Sequence, residues 1–141
     1  MLVDANLLLY AVDERSRFHQ ASLEWLTSSL NGDKRVALPW LCLAAFLRIS
    51  TNPRASAEPL APSDAWELVA NWLSHDLTWI PNPTDRHAHV LGSLIQRYDL
   101  SANMISDAQL AALAIEHGLR LYSTDTDFAR FSEIDWVNPL A

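Results

Sequence analysis

What most constrains this chain is an alternation. Short apolar runs of strand length, "MLVD", "RVALPW", "LTWIP", "LRLYS" and "DWVNP", are separated by stretches with helical spacing. The helical stretches are "ANLLLYAV", "RFHQASLEWLTSSL" closed by Asn31-Gly32, "LCLAAFLRIST" after Pro39, "DAWELVANWL", "TDRHAHVLGSLIQRY" and "SDAQLAALAIEHG". A short helix is expected around "FARF". Strands apolar throughout, alternating with helices, imply a parallel sheet covered on both faces. The fold class is therefore α/β, a three-layer α/β/α sandwich with a mostly parallel twisted sheet. Asp64 with Glu67, and Ser106 with Gln109, have capping-box spacing and should open their helices, while Gly118 should close the last long one. The least regular stretch is "NPRASAEPLAPSD". With 141 residues, no repeat and no long linker, the chain reads as one domain spanning 1–141.

Several classes are excluded early. No apolar run approaches the ~18–20 residues of a membrane span. The start lacks a basic segment, and Asp4 interrupts its apolar stretch, so no signal peptide is expected. The lone Cys42 has no disulfide partner and reads as a small buried hydrophobe, consistent with a reducing cytoplasm. A net charge of −7 argues against holding nucleic acid by bulk electrostatics. Action on nucleic acid would need a local inversion of sign by a divalent cation, a few arginines or a basic partner.

The alternation also gives the acids an address, because ligands of such folds bind beyond the carboxyl ends of the strands. Asp4 ends the first strand, Asp125 and Asp127 follow "LRLYS", and Asp107 opens a helix that can start at the same edge. Each alone has a structural role as a cap or first-turn residue. Four acids from three distant segments at one edge point instead to a site. Packed carboxylates raise one another's pKa, and a hard cation, Mg²⁺ or Mn²⁺, compensates them. In an extended backbone Asp125 and Asp127 would point the same way, ~6.6 Å apart, with Thr124 and Thr126 facing away unless the chain turns early.

Other groups carry less. His87 and His89 are two apart and read as solvated surface residues, and His19, His75 and His117 lack companions at metal spacing. Glu116 lies ~13 Å along its helix from Asp107, toward the opposite edge, and reads as structural or solvated. The six tryptophans read as core or subunit-contact residues, with base stacking a minor alternative. No nucleophilic serine motif, phosphate-binding glycine loop or Cys-x-x-Cys is present.

Together, "VDANLLLYAVD", "ISDAQLAALAIEHG", "YSTDTDFARF" and "LPWLCLAAFLRISTNPR" resemble the PIN-domain family, more specifically VapC toxins of bacterial toxin–antitoxin pairs. The resemblance spans essentially the whole chain. It implies a Mg²⁺- or Mn²⁺-dependent endoribonuclease acting on RNA, a cognate VapB-like antitoxin, homodimers and larger complexes, and metal ligation by residues matching Asp4, Asp107, Asp125 and Asp127. One departure stands out: many PIN domains carry a glutamate after the second strand, where this chain has Ala44 and Ala45. A single metal, or a second ion held only by substrate phosphate, is then the better expectation. Arg48 and Arg54 are expected phosphate contacts, and Thr124 an expected hydrogen-bond partner of the acids. A reading from another class is a catalytically weak binding module whose acidic pocket accepts a basic partner segment.

Overall fold

The computed structural model describes residues 1–141. Five short strands, β1 (Leu2–Val3), β2 (Val36–Ala37), β3 (Thr78–Trp79), β4 (Leu121–Tyr122) and β5 (Trp136–Val137), form one sheet in the order β3-β2-β1-β4-β5. Every pairing is parallel. The helices are α1 (Ala5–Val12), α2 (His19–Leu30), α3 (Trp40–Ser50), α4 (Pro62–Leu73), α5 (His87–Tyr98) and α6 (Ile105–His117). The expected three-layer sandwich is borne out.

The layers follow from pleating, which sends successive side chains to opposite faces. Leu2, Ala37 and Leu121 join the core beneath α5 and α6, with Val90, Leu94, Phe128 and Phe131. Val3 and Val36 join the core beneath α1 to α4, with Leu7, Leu8, Phe46, Val69 and Trp72. Strands buried on both faces need apolar residues at every position, which is why these runs lack polar alternation. Ala108, Ala111, Ala112 and Ala114 are all buried on α6, where small side chains let it lie close to its neighbours.

Sheet order positions the site. From β1 the chain steps outward to β2 and β3, then returns to the other side of β1 for β4 and β5. The reversal puts a crevice between the carboxyl ends of β1 and β4, where Asp4 and the Ser123–Asp127 stretch emerge.

Two expected helix starts are corrected. α4 begins at Pro62, whose fixed φ suits a first helical position, with Ala61 as cap and no side-chain cap bond, so Asp64 lies in the first turn instead of capping. α6 begins at Ile105 as the continuation of a 3₁₀ turn at Ala102–Met104, so Ser106 does not cap it. In both cases the preceding backbone already fixes the entry and the capping side chain is redundant. Gly118 closes α6 with φ +64°, as expected.

Candidate metal centre

Asp4 stands between β1 and α1. Its extended backbone and side chain cap α1, Oδ1 accepting from the Ala5 N–H at 2.7 Å, while Oδ2 accepts from the Ser123 hydroxyl at 2.7 Å. Burial pushes this carboxyl above its ordinary range, against the pull of Ser123 and the Ala5 N–H, and the charge of Asp125 adds to the rise. Cys42, buried in the first turn of α3, brings its Sγ to 3.9 Å from Asp4 Oδ1. Burial, with the Asp4 charge behind it, holds the thiol well above its usual pKa.

Asp107 lies in the first turn of α6. Asp125 and Asp127 follow β4, but not on an extended strand. The chain turns at once into a 3₁₀ helix, Thr126–Arg130, which Asp125 caps by accepting from the Asp127 N–H at 2.9 Å. The expected geometry is thus corrected while the convergence is found: Asp107, Asp125 and Asp127 each offer an oxygen within 4.8 Å of the others. Asp4 lies outside that trio, with both oxygens engaged, yet near enough for its charge to act on Asp107. Desolvation, then the charges of Asp125, Asp4 and Asp127, raise Asp107 to about 6, with Arg130 opposing.

Ser123 organises the back of the site and went unnoticed in the sequence. Fully buried, its hydroxyl donates to Asp4 and accepts from Asn6 Nδ2 and the Asp125 N–H, both at 3.0 Å. It thereby joins the end of β1, the start of α1 and the turn after β4. Its signal was a small polar residue in register with buried Leu121. Thr124, expected in this role, makes no side-chain hydrogen bond to the acids. Arg130 was also missed: its Nη2 stands 3.7 Å from Asp127 Oδ1, its Nε donates to the Asp127 carbonyl at 3.0 Å, and Nη1 meets Met104 Sδ. Arg48 lines a depression between α3 and α4 instead, and Arg54 is exposed, its N–H bonded to Asn52 Oδ1.

At the far end of α6, Glu116 is structural, as expected, but His87 is not a free surface residue. Glu116 has no exposed side-chain area and accepts from the Thr84 N–H, the Thr84 hydroxyl and His87 Nδ1 at 2.9, 2.6 and 2.6 Å. The pair clamps the start of α5 to the end of α6. His87 and His89 do point apart, which leaves His87 free to turn inward.

The donor set fits a hard divalent cation. It consists of carboxylate oxygens, and the Asn6 amide that donates to Ser123 leaves its buried Oδ1 without a hydrogen-bond partner. Neither thiolate nor imidazole enters it. α3, where many PIN domains supply an acid, contributes Cys42 toward Asp4, while Ala44 is exposed and Ala45 packs on the core.

An α/β sandwich with acids gathered at the switch point of a parallel sheet defines a class of acid-centred, metal-fitting domains. The PIN-domain pattern matches residues 1–134, and the chain belongs to that family. It is 42% identical over 140 residues to Ribonuclease VapC37 of Mycobacterium tuberculosis, covering 99% of this chain and 97% of that protein. Ribonuclease VapC33 of the same species is 36% identical, covering 99% and 98%. Among solved structures it is similar to VapBC2 from Rickettsia felis bound to a promoter DNA fragment, with TM-score 0.67, 16% identity and 97% and 96% coverage. It is also similar to FitAB bound to IR36 DNA, with TM-score 0.64, 16% identity and 99% and 95% coverage.

Proposed function

We propose that this protein is the toxin of a type II toxin–antitoxin pair, an endoribonuclease that hydrolyses RNA phosphodiester bonds with Mg²⁺ or Mn²⁺. The observation that carries the reading is the trio Asp107, Asp125 and Asp127, three ligand oxygens within 4.8 Å of one another in a PIN-domain chain whose full-length relatives are VapC ribonucleases. These three residues would hold the cation, and Asp4 acts on the cluster through its charge on Asp107 and its link to Ser123. A divalent ion bound there supplies a Lewis acid for the phosphoryl group and a water of lowered pKa.

The remaining work falls to the chain's own side chains. Ser123 fixes the Asp4 carboxylate and the turn carrying Asp125, so the acids need little reorganisation when substrate arrives. Asp127, the most exposed of the trio, would orient the attacking water and accept its proton with the carboxylate oxygen it does not offer to the cation. Arg130, beside Asp127, supplies the local positive charge that a chain of net charge −7 needs to meet a phosphate. With no acid from α3, a single cation is expected.

A VapB-like antitoxin is the proposed partner, a homodimer the proposed assembly, and the cytoplasm the proposed location. No helix is long and apolar enough to cross a membrane. The test is to incubate the purified chain with structured RNAs in Mg²⁺, in Mn²⁺ and in excess chelator. Cation-dependent cleavage lost in Asp107→Asn and Asp125→Asn is expected. Cleavage that persists in chelator, or survives both substitutions, rules the mechanism out.

A further inference from the structure

Two of the three large hydrophobic side chains exposed on this surface stand together. Trp40 opens α3 and is 44% exposed; Trp66 on α4 is 49% exposed. Their rings are parallel within 4°, with centroids 6.5 Å apart. Core or subunit contact is the expected role of the tryptophans. The core holds Trp72, but these two face outward.

We propose that Trp40 and Trp66, with Arg48 beside them, form a stacking subsite for a base of single-stranded RNA flanking the cleaved bond. This rests on the nuclease reading and names a substrate contact for it. Location is the first argument. Trp40 begins the helix that leaves the acid edge of the sheet, and two residues later Cys42 reaches Asp4. Trp40 and Cys42 stand two positions apart in the first turn of α3, and a helix with its side chains is about 10–12 Å wide. A strand whose phosphate lies at the acids therefore passes the platform within a short reach.

Chemistry is the second argument. Parallel aromatic faces accept any base, because every base has a π-face. Arg48 lines the adjoining depression of about 480 Å³ with Ala44, Leu47, Thr51, Pro62 and Trp66, and no carboxylate is among them. Arg48 forms no ion pair with the protein's own acids, which leaves its guanidinium for a phosphate or a base face. Stacking also works without net positive charge, which suits a chain of −7.

Extent is the third argument. Half-exposed indoles offer on the order of 100 Å² each. With a shallow depression beside them they fall well short of the roughly 800 Å² per partner of a stable protein interface. The patch has the size of a nucleotide.

The experiment uses the purified chain and a single-stranded oligoadenylate, with an abasic oligomer of equal length as control. Binding is followed by tryptophan fluorescence in chelator and cleavage in Mg²⁺. Trp40→Ala and Trp66→Ala should each weaken oligoadenylate binding by roughly 5- to 150-fold, leave abasic binding unchanged, and raise KM with kcat retained. The corresponding Trp→Phe variants should recover most of the loss, which a folding defect would not allow. Unchanged KM in both Ala variants overturns the proposal while leaving the nuclease reading intact. A shift from dimer to monomer on sedimentation with KM unchanged also overturns it, in favour of a second copy as occupant. Tryptophan-dependent binding without cleavage in any cation supports the platform and sinks the nuclease reading instead.

Discussion

Replacing Asp107 with asparagine should stabilise the metal-free protein. The carboxyl is raised from 3.8 to about 6. At 1.36 kcal/mol per unit, a rise of about two units corresponds to about 3 kcal/mol of penalty on the charged form. Asp107 is only partly buried, and water screens its neighbours, so about 1 kcal/mol is the realistic gain. For a chain of this size that is about 3–5 °C in Tm. The sign is that of a carboxyl with a raised folded pKa. The penalty is absent below the unfolded value of 3.8, grows as pH rises toward about 6, and is complete above it. Thermal melts in chelator should show Asp107→Asn above wild type at pH 7.5, with roughly half the gap at pH 5. Adding Mn²⁺ should reverse the order, because the cation stabilises wild type by mass action and finds a poorer site in the variant. If Asp107→Asn melts at or below wild type in chelator at pH 7.5, the like-charge account of this cluster is wrong.

Ser123→Ala leaves the Asn6 amide, the Asp125 N–H and Asp4 Oδ2 short of a buried partner, and should cost about 2–3 kcal/mol in urea denaturation; an unchanged midpoint contradicts the role given to this hydroxyl. Glu116→Gln removes charge-assisted bonds at a side chain with no exposed area, a loss of about 1.5–3 kcal/mol at pH 7. Burial pushes Glu116 up, but bonds from Thr84 and His87 bring it net below 4.5. Its contribution is therefore present above pH 4.5 and fades as pH falls below it, so the gap between wild type and variant should close on acidification, and a gap constant with pH argues against the clamp. Arg130→Ala should lower kcat/KM for RNA by about 10- to 150-fold while leaving cation affinity in place, and unaltered steady-state kinetics remove Arg130 from the substrate path.

The layered fold was legible because runs such as "LRLYS" and "RVALPW" admit few other partners than helices on both faces. The convergence of Asp107 with Asp125 and Asp127 was legible for a related reason, since strand ends and helix starts share one edge in a parallel sheet. Finer placement was not. The short helix expected around "FARF" starts two residues earlier, at Thr126 right after β4, which makes Asp125 a cap and a cluster member at once. The capping boxes at Asp64 and Ser106 failed because Pro62 and the 3₁₀ turn at Ala102–Met104 set the helix starts. Ser123, Arg130 and the His87–Glu116 clamp depend on partners far away in the chain, and only the packed tertiary structure pairs them.

Titration calorimetry of Mn²⁺ into the purified metal-free chain at pH 7.5, repeated with Asp107→Asn and Asp125→Asn, addresses the metal centre without requiring knowledge of the RNA. One cation per chain is expected for wild type, with uptake strongly weakened in both variants and at pH 5, where protons compete for Asp107. No uptake by a folded wild-type chain, or equal uptake by both variants, would contradict the assembly of these aspartates into a metal centre.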